Sequence, residues 1–358
     1  MNKLIKSAIV ALASIGLLAV LSLSGASWYY SSEHGRGCAS CHEMIPYATG
    51  FHGSAHRGLT CLDCHEASLS TKLRHIRVHL THSWPEAIRL REVDVFTMTD
   101  SCQRCHRQEY AAWNAGPHGA TYARIFTDAS HNSRRMPMDD CLRCHGMYFG
   151  GPIRDLVQPV STKGPWHIVP AGLADHPAMP CQTCHAIHTV GEPATRPAAR
   201  ISMAGPAVPA TLAFFDRRER LHFSAALLPI PTLFDGAHEL RMSHDPNQAL
   251  CYQCHAPRFP EAGSEAALHG WGPQASSGDD RTPMGVHEGL SCAACHTGHM
   301  ENARASCKNC HPKMSNCGID VETMDTTFSN AASKHNIHWV KCADCHQNGI
   351  PKPKQPKG

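Results

Sequence analysis

The chain opens on one unbroken apolar run. Lys3 and Lys6 precede residues 8 to 23, and Gly25 and the aromatic trio Trp28, Tyr29 and Tyr30 follow. Counted from Ile5 to Ala26, the run is long enough to cross a bilayer as a helix. Its positive flank directs the N-terminus inward, and the aromatic trio suits the outer interface. The pattern predicts a retained N-terminal membrane anchor over residues 1–30. A cleaved signal is the alternative, because Ser24, Gly25 and Ala26 form a small-x-small site. No cysteine lies near the end of the run to carry a lipid.

Beyond the run the alternation is weak and broken by Gly and Pro, which predicts short helices and coil. The clearest soluble helix is expected over residues 68–91, interrupted near Pro85. His75, His79 and His82 share one of its faces at i, i+4 and i+7. Residues 191–209 are rich in Pro and Ala and read as a linker or wrapping arm. Residues 212–228 are more apolar and predict a packed helix, and the Pro-Lys repeat of 351–358 predicts a disordered tail.

Composition changes this picture. There are 19 cysteines, and eighteen of them fall in nine copies of Cys-x-x-Cys-His. The pairs are Cys38 and Cys41, Cys61 and Cys64, Cys102 and Cys105, Cys141 and Cys144, Cys181 and Cys184. They continue as Cys251 and Cys254, Cys292 and Cys295, Cys307 and Cys310, Cys342 and Cys345. Each pattern reads as a c-type haem attachment, in which two thiols bind the porphyrin and the next His ligates iron. The proximal ligands would be His42, His65, His106, His145, His185, His255, His296, His311 and His346. One copy can be a zinc or redox dithiol, whereas nine cannot. Cys317, outside the pattern, reads as a free or buried thiol.

Nine covalently bound haems would supply most of the core, with the polypeptide wrapped around a haem stack. The expected fold class is therefore a multihaem cytochrome c of short α-helices and coil with one N-terminal transmembrane helix. Its expected divisions are the anchor over 1–30, a five-haem module over 31–188, a linker or wrapping segment over 189–248, a four-haem module over 249–350 and a tail over 351–358. The formal charge of +3 describes the apoprotein. An oxidised haem adds about −1, so the holoprotein would carry roughly −6. Nothing in this balance, and no basic cluster, points to nucleic acid. Attachment of this kind takes place outside the cytoplasmic membrane, so the haem-bearing part must be exported.

Nine of the 28 histidines are proximal, which leaves ample supply for a second axial ligand at every iron. A repeat singles some of them out: His-x4-Cys-x2-Cys-His-x2-His occurs at 176–188 and at 287–299. A shorter form, His-x-Gly-Leu before the motif, occurs at 56–65 and again at 287–296. The preferred distal ligands are His56, His79, His118, His176, His188, His287, His299 and His338, with His131, His167, His244 and His335 in reserve. Two strong-field imidazoles would give low-spin, low-potential iron, and a Met ligand would raise the potential. Met44, two residues after His42, is the candidate for such a ligand.

Residues 1–92 resemble the NapC/NirT/NrfH family of membrane-anchored quinol dehydrogenases. The likeness rests on the short anchor, on the segment from Gly37 to Met44, on Phe51, His52 and His56, and on the segment from Gly58 to His65. It implies that Met44 ligates the haem nearest the membrane and makes Lys72 a quinol-site candidate, with Glu86 or Asp94 as nearby acids. Residues 101–190 more loosely resemble the cytochrome c554 and hydroxylamine oxidoreductase group, through Cys102, Cys105 and His106 with Tyr110, Trp113 and His118. In that group a His placed as His118 is a distal ligand.

The resulting expectation is an inner-membrane protein with its haem domain in the periplasm. It would take electrons from quinol, or from a membrane quinol-oxidising subunit, through a chain of mostly bis-His haems. Its acceptors would be periplasmic or outer-membrane cytochromes, a terminal reductase or extracellular acceptors, and it could be one subunit of a larger redox complex. It reads as an electron-transfer protein rather than an enzyme, apart from quinol dehydrogenase activity. The alternative is a reductase of nitrite, hydroxylamine or a sulfur oxyanion with one five-coordinate haem.

Overall fold

A computed structural model describes residues 3–31, 37–65, 68, 73–74, 77–78, 80–81, 91–188, 211–230, 232–235, 237–255, 281–299, 307–311 and 320–349. The architecture is short helices and coil, with three two-stranded antiparallel ribbons among the described residues. The chain divides into two compact units. One is Met1–Cys105 with Ile187–Glu192, and the other is His106–Ala186 with Pro193–Gly358.

The first unit begins with helix α1 (Lys3–Ser31). Its stretch Ile5–Tyr29 has 25 residues and is long and apolar enough to cross a membrane. At about 1.5 Å per residue it exceeds a hydrocarbon core of about 30 Å. Helix α2 (Ile45–His52) carries Pro46 in its first turn, where the missing N–H costs nothing, and buries Phe51. Helix α3 (Glu92–Gln103) is fixed at its start by Asp94, whose carboxylate pairs with the Arg91 guanidinium at 2.6 Å. That pairing holds the Asp94 carboxyl below its ordinary range. Val95, Phe96 and Thr99 lie on the buried face, and Cys102 sits in the last turn. Most of the helix expected over 68–91, including Lys72, His75, His79, His82 and Glu86, lies outside the described residues.

In the second unit, helix α4 (Arg107–Ala115) buries Trp113, whose indole N–H donates to the Met179 carbonyl at 3.2 Å. The chain turns back so tightly at Gly119 that a Cβ there would lie 2.5 Å from the Trp113 carbonyl oxygen. Only glycine allows that approach. The strand-like segment beyond it accepts the 174–178 segment, with Tyr122 N–H donating to His176 O and Ala178 N–H to Ala120 O.

The apolar stretch 212–228 is a β-hairpin, which corrects the expected helix. Strands β1 (Ala213–Asp216) and β2 (Leu221–Ser224) pair Phe214 with Phe223 and Phe215 with His222. Aromatic pairs opposed across a ribbon favour strands, and the sequence between them closes a turn. There the Asp216 carboxylate accepts from the N–H groups of Arg218 and Glu219, and Arg220 takes φ 56°. The hairpin gathers the aromatic core of the unit: Met147, Phe214, Phe215, Phe223, Leu228 and Ala249 are buried together. Cys254 packs on this cluster, so one haem motif borders it. A second motif is tied to the hairpin by backbone bonds from Ala213 N–H to Cys184 O and from Ala186 N–H to Thr211 O.

Candidate haem-binding sites

Each Cys-x-x-Cys-His lies in one tight helical turn, or at the end of a longer helix. In seven motifs the His N–H donates to the carbonyl of the first cysteine. His65, His145, His185, His255, His296, His311 and His346 do so at 2.7 to 3.1 Å. The i to i+4 bond puts two thiols and an imidazole on one side of one turn. The attachment signature is therefore a local structure before it is a site.

Between motifs, the structure brings imidazoles together in pairs. In the first unit His65 and His188 face each other with ring centres 6.0 Å apart. In the second unit His118 faces His255 at 6.1 Å, His185 faces His299 at 6.0 Å and His296 faces His338 at 6.1 Å. Each pair joins one proximal His of a motif to one distal candidate. A ligating nitrogen lies about 2 Å from its metal, so each ring centre lies about 3 Å away. Two imidazoles on opposite sides of one iron then have centres about 6 Å apart, which these pairs match. The sets fit haem.

The surroundings suit neutral imidazoles, the form that ligates metal. Burial pushes His65, His188, His118, His185 and His296 below the usual histidine range. The edges of Tyr47 and Phe51 close around His188, whose Nδ1 is buried without a hydrogen-bond partner. His118 Nδ1 lies 3.3 Å from the Gly298 carbonyl, which can only accept, so Nδ1 carries the proton. The lone pair of its Nε2 is left for a metal. His287 is set the same way, with Nδ1 3.2 Å from Ile337 O, and His338 Nδ1 is 3.0 Å from Asn336 Oδ1.

The remaining candidates differ in exposure. His56 and His176 are half-buried, His131, His167 and His244 are exposed, and His335 is half-buried. Met44 closes the short turn His42–Met44, in which His42 Nε2 lies 3.3 Å from Glu43. His79 and Cys317 lie outside the described residues. Sequence reasoning missed His222, whose Nε2 donates to Gln182 O at 2.8 Å and steadies the motif at Cys181. It has no spacing relation to any motif that would have marked it.

Thiols of different motifs also meet. Cys144 hydrogen-bonds Cys254, and Cys251 hydrogen-bonds Cys292. In the first unit the Cys38 thiol donates to Cys61 and lowers the latter to about 7. Burial pushes Cys184 up to about 12. Among the described residues no three His, Cys, Asp or Glu side chains converge as a bare metal ion would need. The motifs approach one another as thiol pairs and imidazole pairs instead.

The sequence profile of the family described as outer membrane cytochrome MtrC/MtrF-like, domains II/IV, matches residues 34–194, somewhat less than half of the chain. No curated protein and no solved structure matches it. The match runs through the first five motifs as one block and makes this part similar to a multihaem c-type cytochrome domain. It overturns both resemblances drawn from the sequence, to the quinol dehydrogenases over residues 1–92 and to the cytochrome c554 and hydroxylamine oxidoreductase group over residues 101–190. The inner-membrane placement goes with them, as do the quinol-oxidising partner and the quinol-to-periplasm route, since the matched family is an outer-membrane one.

Proposed function

We propose that the chain is a nine-haem c-type cytochrome that exchanges electrons with acceptors outside the cell from the outer membrane. The observation that carries the electron-transfer reading is the set of four proximal–distal imidazole pairs at 6.0 to 6.1 Å, and the outer-membrane placement is supported by the family match over residues 34–194. Bound haem supplies iron that cycles between ferric and ferrous states. The protein's residues do the rest. Thiols at i and i+3 would anchor each porphyrin, and at four sites the paired imidazoles would hold the iron between them. An iron so held would have no open position for a substrate, which favours electron transfer over turnover at these four sites. The axial assignments are His65 with His188, His255 with His118, His185 with His299, and His296 with His338. The distal roles of His56, His79, His176 and His287, and an axial role for Met44, belong to the same proposal.

Mass spectrometry of the holoprotein tests the count and the linkage, with nine haems retained after denaturation. Redox titration followed by low-temperature EPR tests the ligation, and at least four low-spin bis-imidazole signals are expected. Fewer than nine covalent haems, or no bis-imidazole signals, overturns the reading.

A further inference from the structure

The turn from His296 to His299 takes part in three of the facing arrangements at once. His296 faces His338 at 6.1 Å, and His299 faces His185 at 6.0 Å. Between them the Gly298 carbonyl accepts from His118 Nδ1 at 3.3 Å, and His118 faces His255 at 6.1 Å. All these residues lie in the second unit. The Cys251 and Cys292 side chains also lie against each other, which independently places the motif of His255 beside the motif of His296.

We propose that this four-residue turn is a junction that positions the axial ligands of three irons. The inference rests on the axial pairs assigned above and adds that three of them are mechanically tied. His296 and His299 act directly. The Gly298 carbonyl acts through His118 as a positioning group: it fixes the tautomer and the ring direction of that imidazole. Two ligands three residues apart would tie two haem sites to one turn, and the carbonyl between them orients a ligand of the third.

The test reads variants of the full holoprotein by EPR and by redox titration. His299→Gly should turn one low-spin haem into a high-spin haem that binds one equivalent of CO. A double-variant cycle then sets His118→Met and His299→Met, each alone, against the two together. Each single variant should raise the midpoint of one haem, and non-additive shifts in the double variant support the junction. If His299→Gly releases no low-spin signal, the axial pairing itself fails. If it does but the shifts of the double variant are additive, the pairing stands and the junction is overturned.

Discussion

An imidazole gives its lone pair to iron only when neutral, and burial favours that form for five of the imidazoles in the facing pairs. For His65, His118, His185, His188 and His296 the folded-state pKa lies below the unfolded value of 6.5. Between the two values the unfolded chain binds more protons, so stability rises with pH there. The contribution is present above pH 6.5 and is lost as pH falls through the folded pKa values. Iron competes with the proton and moves ligand loss further into acid. An acid titration of the holoprotein should therefore show unchanged low-spin spectra from pH 8 to 6.5, and high-spin bands only at lower pH. High-spin bands that grow as pH rises would refute it. Replacing one facing imidazole, as in His338→Met, should raise the midpoint of one haem while the haem count stays the same.

At the scale of elements, nine motifs are legible in the sequence because five consecutive residues hold both the covalent and the ligand chemistry. Their pairing is not legible. His188 lies three residues beyond His185 yet faces His65, and His299 lies three residues beyond His296 yet faces His185. A histidine placed close to one motif serves a motif far along the chain, and only the fold says which. The apolar stretch 212–228 shows the opposite difficulty. Its hydrophobicity is plain, but helix and strand bury such a run equally well, and the cross-strand match of Phe214 with Phe223 decides between them. The hairpin's worth can be measured. Phe223 is buried in the aromatic core, and Tyr148 stacks on Phe215 at 4.2 Å while its hydroxyl donates to Gln182 O at 3.0 Å. Phe223→Ala should cost about 3 to 5 kcal/mol in denaturant unfolding. It should also loosen the motif at Cys181, seen as a broadened signal from the haem of His185. An unchanged unfolding midpoint would show that the haems alone hold this unit together.

For the whole molecule, the family match and helix α1 have to fit one route of export from the cytoplasm. The matched family belongs to the outer membrane, whereas helix α1 reads by length and composition as a membrane-crossing segment. The two agree if α1 directs export and is then removed. Lys3 and Lys6 ahead of the apolar run, with Ser24, Gly25 and Ala26 after it, have the order that an export signal needs. The residues from Ile5 to Tyr29 are all exposed, so the rest of the fold does not depend on packing against them. Removal of α1 after export, by a protease site placed behind it in the holoprotein, should then leave haem content and thermal stability of the remaining chain unchanged. The mature protein should begin near Ser27, fractionate with the outer membrane and be cut by protease added to intact cells. A full-length N-terminus on inner-membrane protein that resists such protease would overturn the surface placement, while leaving the imidazole pairs and their low-spin signals untouched.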